Sequence, residues 1–280
     1  MAKKTVRFID LFAGIGGIRK GFEIACEERG LKTKCVFTSE IKPYAVEVLS
    51  QNHPGEKIHG DITQIDENKI PDFDFLLAGF PCQAFSMAGK RLGFQDTRGT
   101  LFFDVARILK AKKPKGFVLE NVEGLVNHDG GKTLEVILNT LDELGYYVTS
   151  QVLNAKDFGV PQNRERIYIV CFRNDIDDKN FEFPEPKGKK VTLKDILEDA
   201  PISSKYYLSE TYVETLRKHK ARHEAAGNGF GFIIRNLNEV AGALVCGGMG
   251  REKNLIVDER EHSLEPMTKI KGEINLSFFS

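Results

Sequence analysis

The chain has 280 residues, with 40 basic and 40 acidic side chains, 41% hydrophobic and 29% charged residues; this suits one globular core of ordinary size with a smaller lobe appended. No apolar run is long enough to span a membrane, and the basic start leads directly into an acidic residue and a glycine turn, which reads as a first strand and not as a signal peptide. A net charge of zero argues weakly against a nucleic-acid binder unless basic residues gather locally.

VRFIDLF predicts a first strand, FAGIGG a tight glycine turn, and IRKGFEIACEERG a helix closed by Gly30. Ile18, Phe22 and Ala25 recur at helical spacing and are expected to form the buried stripe of that helix. Gly14, Gly16 and Gly17 let the backbone turn sharply and pass close to a ligand, although their spacing is not the GxGxxG of dinucleotide folds. KCVFTSE predicts a second strand ending in Glu40, where a carboxylate can accept hydrogen bonds from both hydroxyls of a ribose. A solvated acid beside a loop is the plain alternative, but the glycine turn one strand earlier favours the ribose. IHGDITQID places Asp61 and Ile62 after a short third strand. An acid and an apolar side chain there suit the amino group and the face of an adenine ring. These strand ends outline an α/β fold, a doubly wound, mostly parallel, Rossmann-like sheet with its ligand at the carboxyl edge.

FDFLLA predicts a buried strand that delivers Gly79, Phe80, Pro81 and Cys82 to the same edge. The five cysteines show no CxxC pair and no zinc spacing, so no metal is expected and most are small core fillers. Cys82 differs. Pro81 fixes its own φ and restricts Phe80, which puts the thiol on a constrained turn beside the candidate cofactor site. The polar, glycine-punctuated run after it, QAFSMAGKRLGFQDTRG, has the composition of a lid. GFVLE predicts another buried strand ending in Glu120 and Asn121.

A thiol and a carboxylic acid at one sheet edge are what attack on a pyrimidine requires. The thiolate adds to C6 while the acid protonates or hydrogen-bonds N3, and C5 becomes nucleophilic enough to accept a methyl group. Farther on, Gln162, Arg164 and Arg166 alternate before the apolar run IYIVCF. This predicts both arginines on one face of a strand. Against a merely solvated face, two arginines opening a buried strand suggest an anion or polar base held beside the pocket.

FAGIGG at 12 to 17, GDI at 60 to 62, GFPCQAFS at 79 to 86, DTRGTLFFD at 96 to 104, ENV at 120 to 122 and QNRER at 162 to 166 occur in this order. In order and spacing they closely resemble the bacterial DNA (cytosine-5) methyltransferases of restriction-modification systems, over residues 5 to 172. The resemblance implies that Phe12, Gly14 and Gly16 wrap S-adenosylmethionine, which leaves as S-adenosylhomocysteine, with Glu40 on its ribose and Asp61 and Ile62 at adenine. It implies that Cys82 is the nucleophile, that Glu120 contacts N3 and the exocyclic amine of cytosine, and that Arg164 and Arg166 hold the catalytic loop, the flipped base or its phosphate. Ser86 would close over the DNA once the cytosine has left the stack, because the ring face is inaccessible in a duplex; Gln162 is also expected at the DNA. Double-stranded DNA is the implied partner and the cytoplasm the implied location, with no membrane association.

Composition changes after Phe172, and the expected division is a cofactor-binding catalytic domain over 1–180 and a partial, irregular target-recognition domain over 181–280. Arg217, Lys218, Lys220 and Arg222 cluster on one predicted helix, either as a solvated face or as phosphate contacts. GNGFGF and VCGGMGREKNLIVD resemble the recognition region of a subset of the family, with Arg235, Arg251, Lys253 and Asn254 as candidate DNA readers. The PRE-x-x-R-L-Q-like helix and the GN segment that follow in single-chain relatives have no counterpart here. The expectation is therefore that the isolated chain has little or no activity and that a second polypeptide supplies the usual C-terminal return segment. The competing expectation is a truncated, inactive DNA-binding or regulatory remnant. A small-molecule methyltransferase would share the fold but would not need Cys82 and Glu120 together, and the motifs alone leave RNA open as a substrate.

Overall fold

Strand β1 (Thr5–Leu11) is fully buried from Phe8 onward and is an interior strand, third of seven, in the main sheet. The computed structural model describes residues 5–81, 101–176, 180–188, 190–198, 206–229, 231–244, 252–258 and 274–279, the last by backbone alone. After β1 come α1 (Gly17–Glu28), β2 (Lys32–Ser39), α2 (Pro43–Asn52), β3 (Ile58–His59), β4 (Phe75–Ala78), α3 (Leu101–Lys112), β5 (Gly116–Val122), α4 (Lys132–Glu143) and β6 (Tyr146–Asn154). The short β7 (Gln162–Asn163) and the long β8 (Glu165–Arg173) follow. The sheet order is β3-β2-β1-β4-β5-β8-β6; β1 to β5 run parallel, and β8 is antiparallel to β5.

This topology positions a site. The chain winds outward from β1 through β2 to β3, then returns to the other side of β1 and winds through β4 to β5. Right-handed crossovers in opposite senses put α1 and α3 on opposite faces of the sheet. Between β1 and β4 the loops diverge and leave a crevice at the carboxyl edge. The expected doubly wound, mostly parallel sheet is the fold observed.

The core explains most of these elements. Helix α3 buries Phe102, Val105, Ala106, Ile108 and Leu109 and packs with α4, which buries Ile137 and Leu141. The Phe117 and Tyr146 rings meet edge-on at 4.8 Å. At Gly116 an added Cβ would lie 2.7 Å from the Phe75 ring and 2.9 Å from the Cys171 carbonyl, so β5 approaches its neighbours at a distance only glycine permits. The first helix ends as expected, with Gly30 in the left-handed region (φ +70°) and the Gly30 and Leu31 amides bonded back to Glu27 and Cys26.

The inward face of α1 differs from the expectation. Arg19 and Cys26 are its buried residues, Ile18 and Phe22 are half-buried, and Ala25 is exposed. A guanidinium is tolerated at 3% exposure because Glu23 and Glu56 neutralise it, at 2.9 and 2.7 Å, over the Phe8 ring. Glu56 lies 37 residues away, so helical spacing alone could not reveal the pairing.

By packing, the chain forms two compact units, Met1–Leu153 with Arg166–Phe183, and Asn154–Glu165 with Pro184–Ser280. The second unit contains β9 (Tyr207–Ser209), α5 (Glu210–Ala225), β10 (Ala241–Gly242), β11 (Ile256–Val257) and β12 (Ile274–Phe279). Residues from the middle of the sequence join it. β7 pairs in parallel with β10, Gln162 opposite Ala241 and Asn163 opposite Gly242. Asn154 ties the two ends of this excursion, donating to Asn163 Oδ1 at 2.7 Å and accepting from the Arg164 amide at 3.0 Å.

Candidate active site

Four turns meet at the carboxyl edge. In the first, Phe12 holds a left-handed φ of +53°, followed by Gly14 at +56° and Gly16 at +87°. A side chain at Phe12 makes this conformation cost about 1–3 kcal/mol, strain of the kind stored at ligand sites. Glu40, 8% exposed, accepts the Gly14 amide on Oε2 at 2.7 Å and the Ile41 and Lys42 amides on Oε1 at 2.8 Å each. It therefore clasps the glycine turn to the start of α2, and a carboxylate with these three bonds keeps acceptor capacity for a ligand hydroxyl. Beside it Ile41 is 64% exposed, an apolar surface at the site that the sequence marked only by an apolar residue after the acid.

At the end of β3, Asp61 is exposed and caps the next turn, its Oδ1 accepting from the Thr63 amide and hydroxyl at 2.9 and 2.8 Å. Ile62 does not offer the apolar ring face expected of it. Its side chain is 2% exposed and belongs to the core cluster that includes Phe37 and Ile70. A side chain so enclosed presents no open apolar face at the crevice.

Beyond β4 the chain passes through Gly79, buried Phe80 and exposed Pro81 toward Cys82. An added Cβ at Gly79 would sit 3.5 Å from Glu120 Oε2, 3.5 Å from Ile18 Cδ1 and 3.9 Å from the Phe12 carbonyl. The acid, the glycine turn and the approach to the cysteine thus converge. Glu120 is aimed by Arg166, whose Nε lies 2.9 Å from Glu120 Oε1. The register explains the pair: Arg166 stands opposite Val122, two residues along the same face of β5. Asn121, 2% exposed, points to the other face and donates to the Phe80 carbonyl at 3.0 Å. It fixes the backbone two residues before Cys82, a role the sequence did not assign. Cys82, Ser86 and Arg251 lie outside the described residues.

A family model described as "C-5 cytosine-specific DNA methylase" matches residues 6–272. The chain belongs to the C-5 cytosine-specific DNA methylases. It is 55% identical over 278 residues to the type II methyltransferase M.HpaII of Haemophilus parainfluenzae, covering 98% of this chain and 75% of that one. It is 65% identical over 196 residues to M.NlaIV of Neisseria lactamica, covering 67% of this chain but 46% of the relative. In fold it is similar to a Spodoptera frugiperda DNMT2 mutant, with a TM-score of 0.67, 22% identity and coverage of 91% and 75%. Enzymes of this family methylate C5 of cytosine in DNA and take the methyl group from S-adenosylmethionine. The chemistry of the residues present fits that cofactor: the Glu40 and Asp61 carboxylates are acceptors suited to hydroxyl and amino groups, beside a turn in left-handed backbone at Phe12, Gly14 and Gly16.

Other residues of the methylase stand apart from this cluster. Arg164 falls between β7 and β8 and belongs to the second unit, whereas Arg166 lies in the sheet of the first. They do not share a strand face, because the chain breaks its strand at Arg164 to leave the excursion. In the second unit Gln162 Oε1 accepts the Leu244 amide at 3.3 Å, and Arg235 Nε donates to the Lys253 carbonyl at 3.0 Å. Asn254 caps the Gly242 amide at 2.6 Å. These candidate readers have internal structural bonds, while an open cleft of about 650 Å³ is lined by Lys156, Asn163, Lys190 and Arg235 together with Asp157 and Glu239. On α5, Arg217, Lys218 and Lys220 lie within 3.6–4.0 Å of glutamates on the same helix, as on a solvated face. Among the described residues no helix is long and apolar enough to cross a membrane, and no cluster of metal-binding side chains occurs.

One buried acid went unremarked although an aspartate inside VRFIDLF was a visible signal. Asp10 is 1% exposed and its Oδ2 has no hydrogen-bond partner among the described residues. Burial pushes its pKa from 3.8 up to about 7; Arg19 pulls it down, while Glu23 and Glu40 add to the rise. The folded chain therefore holds this proton more tightly than the unfolded chain. Stability is expected to fall as pH rises from about 4 to about 7, by about 4 kcal/mol from this group, and to lose nothing further from it above that range. Asp10→Asn should remove that slope, leaving the variant the more stable protein at pH 8 and equal to the parent near pH 4. Urea denaturation across this range checks it, and parallel pH profiles for the two proteins would refute it.

Proposed function

We propose that this chain transfers a methyl group from S-adenosylmethionine to C5 of a flipped cytosine at a specific site in duplex DNA, through a covalent adduct between Cys82 Sγ and C6. The observation that carries this reading is the convergence at Gly79 of Glu120, the Phe12 turn and the chain entering Cys82. The cofactor, when bound, supplies an electrophilic methyl group on a sulfonium. Phe12, Gly14, Glu40 and Asp61 would hold it. The Cys82 thiolate gives its electron pair to C6, the C5–C6 double bond opens, and Glu120 protonates N3 to take up the developing charge. C5 would then take the methyl carbon as the sulfur–methyl bond breaks, its electron pair staying on sulfur to give the neutral thioether of S-adenosylhomocysteine. Loss of the C5 proton to a base restores the double bond as the Cys82 thiolate leaves and N3 gives back its proton.

Arg166 keeps Glu120 oriented by holding Oε1, which leaves Oε2 toward the base. Asn121 sets the turn that presents the thiol. The first compact unit serves cofactor and chemistry, and the second, with Gln162, Arg235 and Lys253 and a cleft of mixed charge, meets DNA; Arg164 joins it there as a phosphate contact.

The chain spans 75% of the Haemophilus relative and 46% of the Neisseria relative. The reaction is therefore assayed with the chain alone and with the unmatched part of the Haemophilus relative added as a separate polypeptide. Transfer of labelled methyl groups to duplex DNA, and a covalent complex with DNA containing 5-fluorocytosine, are expected in at least one arm. Failure of both signals in both arms rejects the assignment; methylation of RNA in preference to DNA rejects the substrate.

A further inference from the structure

We propose that Arg107 is a positioning residue that holds the adenine-side turn of the cofactor site and so sets how well the site discriminates the base of its cofactor. Arg107 lies on α3, in the first compact unit, and touches none of the candidate cofactor side chains. Its planar guanidinium presents donors in a fixed fork. Nε is spent within the helix, on Asp104 Oδ1 at 2.9 Å. Both terminal nitrogens reach the segment after β3, Nη2 to the Ile62 carbonyl and Nη1 to Glu67 Oε2, each at 2.6 Å. These bonds span 45 and 40 residues of sequence.

The segment they grip is also held at Gly60, whose carbonyl accepts from the Ser39 hydroxyl at 2.7 Å, and by the buried Ile62 and Ile70 side chains; Arg107 supplies its side-chain donors to the Ile62 carbonyl and to Glu67. Its turn covers Ile62–Gln64, with the Ile62 side chain in the core and the Asp61 carboxylate capping Thr63. Both Asp61 bonds fall on Oδ1, so Oδ2 is the oxygen placed to accept the amino group of an adenine. Arg107 fixes the carbonyl of the next residue. A shift there tilts the Asp61 carboxylate directly, and an error of even half an ångström is comparable with the tolerance of a hydrogen bond. The partners are only partly screened, with side-chain exposures of 27% for Arg107 and 32% for Glu67. This inference rests on Asp61 facing the adenine.

Binding of S-adenosylhomocysteine and of its inosine analogue, which lacks the amino group, separates this role from general support of the fold. The parent is expected to prefer the adenosyl compound by about tenfold or more, the worth of one good hydrogen bond to a charged group. Arg107→Met should lose most of that preference while remaining folded by circular dichroism; Arg107→Lys, which retains charge but not the fork, should recover only part. Weakening of both ligands by one common factor in Arg107→Met would show a merely structural role and overturn the proposal. Asp61→Ala is the companion variant. If it retains the preference, the adenine reading of Asp61 fails and takes the proposal with it; if it loses the preference while Arg107→Met keeps it, the Arg107 assignment alone is wrong. If Arg107→Met does not fold, the same comparison is made with Glu67→Gln, which removes one arm of the clasp, and an unchanged preference there counts against the proposal.

Discussion

Cys82→Ser is expected to reduce methyl transfer by at least ~10³-fold and to abolish the covalent complex with 5-fluorocytosine DNA. The reacting species is the thiolate. A thiol with an ordinary pKa near 8.5 supplies some thiolate at neutral pH, whereas a serine hydroxyl supplies almost none and is a poorer nucleophile toward C6. Fluorine at C5 cannot leave as a proton would, so the adduct persists in the parent and reports on the attacking atom. Three other cysteines are described, and none is a plausible substitute: Cys26 and Cys171 are buried, Cys35 is half-buried, and burial pushes all three thiols above their ordinary value. Cofactor affinity should be unchanged, since the residues that form the cradle are other ones. The variant is assayed under whichever condition supports transfer by the parent. A complex that survives the substitution would remove Cys82 from the mechanism.

Glu120→Gln should lower kcat by about 10²–10⁴-fold, the range for loss of a proton-transferring group, with binding of S-adenosylhomocysteine held within about twofold of the parent. Glutamine has nearly the shape of the acid and can donate a hydrogen bond to N3, but it cannot deliver a proton. It also turns the oxygen that meets Arg166 at 2.9 Å into an amide oxygen or nitrogen, so a drop in stability is expected alongside, and the two effects are separated by measuring turnover well below the melting temperature. Capture by 5-fluorocytosine DNA should slow with kcat, because N3 protonation assists the addition step itself. A kcat within about tenfold of the parent would mean that the N3 charge is stabilised elsewhere.

Much of this site was legible as residues at strand ends. Glu40, Asp61, Cys82 and Glu120 were picked out because an apolar run was followed by a polar residue and a turn, a pattern contained within a few residues. The glycine turn was similarly local, and its left-handed angles at Gly14 and Gly16 are the conformations its composition permits. The departures all involve partners distant in sequence. Ile62 turned inward because a core made by β2 and the loop before β4 was there to receive it. Arg19 took the buried place expected for an apolar residue because Glu56 came within reach.

By itself, then, the sequence indicated the doubly wound, mostly parallel sheet, the glycine turn after the first strand and the helix stop at Gly30. Those features follow from periodicity and turn chemistry, which act between near neighbours. Tertiary structure alone decided that Arg164 and Arg166 fall in different compact units, that Asn154 and Asn163 join the second unit, that Asn121 holds the Phe80 carbonyl and that Arg107 holds the Ile62 carbonyl. Each of those outcomes depends on a hydrogen bond or ion pair, or on membership of a core, and the partner is known only once the sheet has brought distant residues within about 3 Å of one another.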